Sequence, residues 1–107
     1  MQHPATDADF DKIMSEAGAT PVLLKFSATW CGPCVSISGD MEDLANEYAG
    51  NLICIHVDVD ALEATSQKYG ISCMPTIKIS KGGEVMGEDV QGANMAGIKA
   101  LVEKALA

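Results

Sequence analysis

The stretch Trp30-Cys31-Gly32-Pro33-Cys34 separates two segments of different periodicity. The segment before it, Val22 to Phe26, is short and mostly apolar, which predicts a strand buried on both faces, with Lys25 as its one charged residue. The segment after it has apolar residues at helical spacing and predicts a helix from Cys34 to about Ala49. The two cysteines therefore stand in a turn that joins a buried strand to a helix.

This placement suits thiol–disulfide exchange. The two intervening residues let the sulfurs meet across a tight turn, and the helix that follows offers free backbone N–H groups, which favour the nucleophilic thiolate. Gly32 leaves room for a substrate, and Pro33 enters a first helical turn without losing a hydrogen bond. We expect Cys31 to be exposed and to attack a substrate disulfide, and Cys34 to resolve the mixed disulfide. Trp30 would supply flat apolar contact area beside them.

A pair of cysteines at this spacing can also form half of a zinc site. Tetrahedral zinc needs four ligands, and Cys54 and Cys73 do not form a second close pair. His3 and His56 do not complete a recognisable ligand spacing. The sequence therefore predicts no metal site, with Cys54 as inert core. We also expect the protein to need no bound cofactor.

The remaining patterns predict an alternation of helices and strands. The elements are a helix capped by Thr6 and ended by Gly18, the strand and helix described above, a strand from Leu52 to Val59, a helix from Ala61 to Tyr69 capped by Asp60, a strand from Thr76 to Ser80, a turn at Lys81-Gly82-Gly83, a strand from Glu84 to Val90, and a helix capped by Asn94. This order predicts an α/β fold with a central mixed β-sheet and helices on both faces. We expect residues 1–107 to form a single domain, since no linker or repeat interrupts them.

Composition and charge exclude several classes of function. Seven basic residues against fifteen acidic ones give a formal charge of −8, so no nucleic-acid partner is expected. The chain has no run of 18 apolar residues, which predicts no membrane span. Residues 1–11 lack the pattern of a secretory signal, so we expect a cytoplasmic protein, although a mature exported form would look the same after cleavage.

The chain resembles the thioredoxin family over nearly its whole length. The motifs that carry this resemblance occur in family order and at family spacing: Phe26 to Cys34, Val57 to Asp60, Tyr69 to Ile71, Met74 to Thr76, and Gly92-Ala93. The resemblance implies the thioredoxin fold and a monomeric protein-disulfide reductase that carries electrons in cell redox homeostasis. It also implies disulfide-containing proteins as substrates and thioredoxin reductase, an NADPH-dependent flavoprotein, as electron donor.

The resemblance further implies a substrate groove beside the cysteines. It implies a cis peptide bond between Met74 and Pro75, whereas the residues alone leave Pro75 equally open as a strand-initiating proline. The backbone of Met74 would pair with an extended substrate segment, and Gly92 would line the same groove. The substrate-binding residues are then Trp30, Gly32, Pro33, Met74, Pro75 and Gly92.

Two further candidates for the catalytic set depart from the family pattern. Lys25 stands where most thioredoxins carry a buried aspartate that is thought to assist proton transfer at the resolving thiol. It could reach the surface, pair with an acid such as Asp58, or stay desolvated with a lowered pKa and accept a proton. A charged Lys25 near Cys34 would raise the reduction potential. His56, where a lysine is frequent, is either a hydrogen-bonded core histidine or the titrating group that replaces the aspartate.

Other departures leave alternative functions open. Val35 stands where a lysine is common, so the rim of the site is less basic, and Gly39 stands where many members have a helix-bending proline. With Lys25, Val35 favours a donor dedicated to one partner, or a more oxidising thioredoxin-like protein. A binding or regulatory module with incidental redox chemistry is a third possibility. Cys73 is either a semi-buried small residue or a second redox site.

Overall fold

The computed structural model describes all residues, 1–107, as five helices and four strands. In chain order they are α1 (Asp7–Ala17), β1 (Val22–Ser27), α2 (Gly32–Ser36), α3 (Ser38–Glu47), β2 (Ile53–Asp58), α4 (Glu63–Lys68), β3 (Thr76–Lys81), β4 (Glu84–Gln91) and α5 (Met95–Leu106). The predicted order is confirmed except at the helix that follows the cysteines, which is divided into two. None of these helices is both long enough and apolar enough to cross a membrane.

The strands form one mixed sheet in the order β2-β1-β3-β4. Strand β1 is parallel to β2 and antiparallel to β3, and β3 is antiparallel to β4. The predicted hairpin turn is confirmed: Gly82 and Gly83 have φ values of +61° and +86°, which two-residue turns of this kind require. Because β1 is central, all six of its residues are buried, including Lys25.

Helices cover both faces of the sheet, as predicted. Successive residues of β1 point to opposite faces, so Leu23 packs in the cluster that includes residues of α3 and α5, whereas Leu24 and Phe26 pack with Phe10 of α1. The caps predicted at Thr6 and Asn94 are confirmed, because their side chains accept the N–H groups of Asp9 and Gly97 at 3.1 and 3.0 Å.

The prediction of a single helix from Cys34 to about Ala49 is wrong. Helix α2 starts two residues earlier, at Gly32, and the regular backbone is interrupted at Ile37 (φ −99°, ψ 0°) before α3 begins at Ser38. The Cys34 carbonyl accepts hydrogen bonds from Ser38 Oγ at 3.1 Å and from Lys25 Nζ at 3.4 Å. These side-chain donors stabilise the junction.

The prediction that Asp60 caps the helix before Tyr69 is also wrong. Helix α4 begins at Glu63 after Leu62, and no side chain of that segment caps it. Instead Asp7 of α1 accepts hydrogen bonds from the Thr65 N–H at 2.9 Å and from the Thr65 hydroxyl at 2.6 Å. One carboxylate therefore serves the first turn of α4 and ties two helices together.

We predict that Asp7→Asn lowers the urea midpoint of unfolding at neutral pH, because an amide oxygen accepts weaker hydrogen bonds than a carboxylate. The hydrogen bonds from Thr65 lower the pKa of Asp7 below its usual 3.8. The stabilisation is therefore complete above the unfolded-state pKa and is lost as the pH falls through the lowered folded-state pKa. Urea titrations at pH 7 and about pH 2.5 measure this, with the difference shrinking at low pH.

Asp11→Asn is the matched control, since it removes the same charge from an exposed position of the same helix. An equal loss of stability in both variants would contradict the role of Asp7.

Candidate functional site

A disulfide bond joins Cys31 and Cys34 at the start of α2. Cys31 is the N-cap residue, and its sulfur accepts the backbone N–H of Cys34 at 3.2 Å. Pro33 stands in the first turn, where a missing N–H costs nothing. An N–H group directed at the Cys31 sulfur also favours its thiolate once the bond is reduced.

The two cysteines differ in their access to solvent. Cys34 is 1% exposed and Cys31 is 7% exposed. The prediction that Cys31 is exposed is therefore wrong: Ala28 packs beside it in one small apolar cluster, and Met74 packs against that cluster. Cys31 is nevertheless the cysteine that lines the adjoining groove.

An open groove of about 420 Å³ lies beside the disulfide. Its lining residues are Trp30, Cys31, Gly32, Pro33, Ser72, Cys73 and Met74. The Met74–Pro75 peptide bond is cis, as the resemblance implied. Neither the N–H nor the carbonyl of Met74 has a hydrogen-bond partner within the chain, so both can pair with a bound segment.

Gly92 is not among the residues that line this groove, and its contact with a substrate stays a prediction. Its backbone N–H donates to the carbonyl of Pro75 at 2.9 Å, and its φ of +83° suits a glycine. Pro75 is buried. Both residues therefore hold the loop that presents Met74.

Trp30 is 68% exposed, and its indole ring is held by Asp60, the residue that the sequence predicted as a helix cap. Its indole N–H donates to Asp60 Oδ2 at 2.8 Å. Asp58 Oδ1 in turn accepts the Asp60 N–H at 2.9 Å. The sequence analysis missed this contact. Asp60 belongs to the family motif from Val57 to Asp60, but a carboxylate that precedes a helical pattern is also typical of a helix N-cap.

Lys25 lies beneath the cysteine pair. It is 2% exposed, and its Nζ lies 3.4 Å from the Cys34 carbonyl and 3.4 Å from Ser38 Oγ. Because Lys25 is buried, the alternative of a surface position is wrong. No carboxylate lies within 4 Å of its amine, so the alternative of a pair with Asp58 is also wrong. Burial lowers the pKa of Lys25, and the charge of Glu42 opposes this shift only partly.

His56 is the neighbour of Lys25 across the β1–β2 ladder. It is half-buried, and its ring centroid lies 4.9 Å from that of His3. Its side chain makes no hydrogen bond, so the hydrogen-bonded core histidine is not found, and nothing joins it directly to either cysteine. Burial lowers the pKa of His56, and the charges of Lys25 and His3 lower it further.

The other two cysteines have different environments. Cys54 is buried in β2, where burial raises its pKa to about 11, in keeping with an inert core residue. Cys73 is exposed and lines the groove, with its sulfur 3.9 Å from the hydroxyl of Thr76. The interpretation of Cys73 as a semi-buried small residue is therefore wrong, because its side chain is exposed.

Comparisons with known proteins agree with this geometry. Residues 2–104 match the family model described as Thioredoxin. The thioredoxin H-type of Chlamydomonas reinhardtii is 46% identical over 84 residues, covering 78% of this chain and 74% of the relative. A thioredoxin of Geodia cydonium is 39% identical over 99 residues and 92% of each chain. The solved structure of Fasciola hepatica thioredoxin superposes with a TM-score of 0.91 at 32% identity, covering 98% of this chain and 99% of the other.

We predict that Lys25→Met raises the free energy of unfolding of the oxidised protein by about 1–3 kcal/mol at pH 7, because a buried amine with two long hydrogen bonds is poorly compensated for its lost hydration. Since the pKa of Lys25 is lowered, the unfolded chain binds the extra proton between that lowered pKa and about 10.5. Wild-type stability therefore rises with pH across this window, and the advantage of the variant shrinks.

Urea unfolding at pH 7 and about pH 9.5 measures both effects. Lys12→Met, at an exposed position of α1, is the control and should change little. A Lys25→Met protein that is less stable at pH 7, or a gap that does not vary with pH, would contradict the prediction.

Proposed function

Because this chain belongs to the thioredoxin family and is a protein-disulfide reductase, we propose that Cys31 is its attacking thiol and Cys34 its resolving thiol. One observation carries this assignment. The two cysteines form a disulfide at the start of α2, with Cys31 on the groove and Cys34 closed off behind it. A substrate sulfur in the groove can reach only the first of them.

The reaction then takes two steps. In the reduced protein, the Cys31 thiolate attacks one sulfur of a substrate disulfide, whose other sulfur leaves as a thiolate, and a mixed disulfide forms. Cys34 loses its proton and attacks the Cys31 sulfur, which releases the substrate as a dithiol and leaves the Cys31–Cys34 disulfide. Two electrons pass to the substrate. We propose that thioredoxin reductase, an NADPH-dependent flavoprotein, returns them, with no cofactor bound to this chain.

The groove holds the substrate as an extended segment. The unpaired N–H and carbonyl of Met74 support this, since they can form strand-like hydrogen bonds with it. Trp30, Gly32 and Pro33 line the same groove. Pro75 and Gly92 act indirectly by holding the loop, through their backbone hydrogen bond.

Lys25 tunes the resolving thiol in this proposal. Cys34 has almost no contact with water, and Lys25 is the titratable group in contact with its carbonyl. The neutral amine can accept the Cys34 proton, and the resulting ammonium stabilises a thiolate beside it. His56 is the neighbour of Lys25 on β2, and burial together with the charge of Lys25 lowers its pKa, which favours a neutral imidazole there.

We further propose that residues 1–107 are one domain and act as a monomeric electron carrier in the cytoplasm. The packing of five helices on one sheet supports the single domain. The unpaired cysteines Cys54 and Cys73 suit a reducing compartment. The buried Lys25 favours a second candidate, a more oxidising protein dedicated to one partner, and the reduction potential distinguishes the two.

We predict that Cys34→Ser accumulates a mixed disulfide with insulin, because the second step is lost, and that insulin reduction falls to background. Non-reducing mass spectrometry detects the adduct, which dithiothreitol should release. Cys31→Ser is the matched control and should form no adduct. Equal adducts on both variants would contradict the assigned order of attack.

We predict that the reduction potential of the Cys31–Cys34 pair falls in the order wild type, Lys25→Met, Lys25→Asp, because a cation near Cys34 stabilises the reduced form. The full change should be roughly 30–60 mV, or about 1.4–2.8 kcal/mol for two electrons. Equilibration against glutathione buffers measures it, and a wild-type value well above the value of about −270 mV typical of thioredoxins favours the second candidate. Potentials that are equal in all three proteins would contradict a tuning role for Lys25.

A further inference from the structure

The segments that line the groove beside the disulfide contain no charged side chain, although the chain as a whole has a formal charge of −8. Three segments, residues 28–39, 69–77 and 90–98, contain no Asp, Glu, Lys, Arg or His. The first two line the groove together, and the third joins the second through the Gly92–Pro75 hydrogen bond. We refer to these three segments as the uncharged surface.

Exposed apolar side chains are concentrated on this surface. The chain exposes three large hydrophobic residues, and two of them, Trp30 at 68% and Val35 at 59%, flank the cysteine pair. Val35 directly follows Cys34 on α2 and is not among the residues that line the groove. The apolar contact area therefore extends beyond the groove, past the disulfide. The third residue, Val85, lies apart on the β4 hairpin and is 44% exposed.

The surroundings of the uncharged surface are acidic. Asp60 lies beside Trp30, and Asp40 begins the acidic stretch of α3 directly after the first segment. Three lysines border these segments. Lys78 pairs with Asp89 at 2.7 Å, and Lys99 shares a surface depression with acidic residues of α3. Lys68 stands over the ring of Tyr69, 5.8 Å from its centroid, without an ion pair, so the balance of charge outside the segments is negative. A partner thus meets an uncharged centre with negative charge outside it.

We infer that this surface selects protein disulfides that lie among uncharged, mainly apolar residues and have basic groups further out, and that Val35 sets the preference beyond the groove. The inference rests on the proposed function, because it names the substrate class of the same site. A charge next to the substrate disulfide loses hydration against Trp30 and Val35 and finds no counter-charge there. Basic groups further out are attracted by the acidic surroundings, which speeds the encounter.

The test compares two peptides that each contain an intramolecular disulfide and differ in one residue next to the attacked cysteine, Leu or Glu. Single-turnover oxidation of the reduced protein is followed by the fluorescence of Trp30, its one tryptophan. The ratio of the Leu rate to the Glu rate cancels changes in thiol reactivity. We expect a ratio of about ten or more in wild type, and of about three or less in Val35→Lys, whose ammonium supplies a counter-charge.

Val85→Lys is the matched control, because it adds the same charge at the exposed valine outside the site. It should keep the wild-type ratio. A wild-type ratio near one, or equal ratios in the two valine variants, would overturn the inference about Val35 and the uncharged surface.

A third peptide tests the outer part of the preference. It keeps Leu next to the cysteine and carries Lys in place of Ser at its ends, and it should react faster than its Ser counterpart at low ionic strength, with the advantage lost at about 0.5 M salt. No advantage at low salt overturns the preference for basic surroundings.

The small neutral disulfide 2-hydroxyethyl disulfide distinguishes a failure of the substrate preference from a failure of the proposed thiol–disulfide exchange. If wild type reacts with it but with neither the Leu nor the Glu peptide, the substrate preference is overturned and the thiol chemistry stands. If wild type reacts with none of these disulfides, the proposed function itself fails, and the inference fails with it.

Discussion

The burial of β1 between two strands and two layers of helices is the constraint on which the site depends. It fixes the point at which the chain turns into α2, and so the position of the cysteine pair. It also keeps Lys25 from water, so that helix α2 and its junction with α3 must supply the acceptors of the amine. A central strand, a buried amine and a break between two helices are therefore parts of one arrangement around Cys34.

Helix caps and turns were predicted correctly because the contacts that form them join residues close together in the sequence. The caps at Thr6 and Asn94 and the Gly82-Gly83 turn depend on neighbours a few residues away, and the structure confirms them. Contacts between distant segments had no such signal. The Asp7–Thr65 hydrogen bonds join residues 58 positions apart, and only the packed fold brings them together.

The same distinction explains the outcome at the site. The chemistry of the cysteine pair follows from spacing and from the helix that begins there, whereas the exposure of Cys31 depends on Ala28 and Met74, which pack around it from two loops. Periodicity placed Lys25 in a buried strand but could not give its partners, because these come from α2 and α3. The contact of Asp60 with Trp30 was missed since an acceptor for an indole and a helix cap use the same carboxylate chemistry.

The charges near the disulfide are arranged in layers that act on different steps. Beneath the pair lies Lys25, which is buried, so dissolved ions screen its effect on Cys34 only weakly. Around the pair lies an uncharged surface, and outside that surface lie acids in contact with solvent, whose influence falls steeply with salt. Thiol energetics are therefore set from inside the fold and encounter with partners from outside it. Substitutions on the solvent side of α2 can therefore alter partner choice and leave the buried contacts of Lys25 with Cys34 and Ser38 in place.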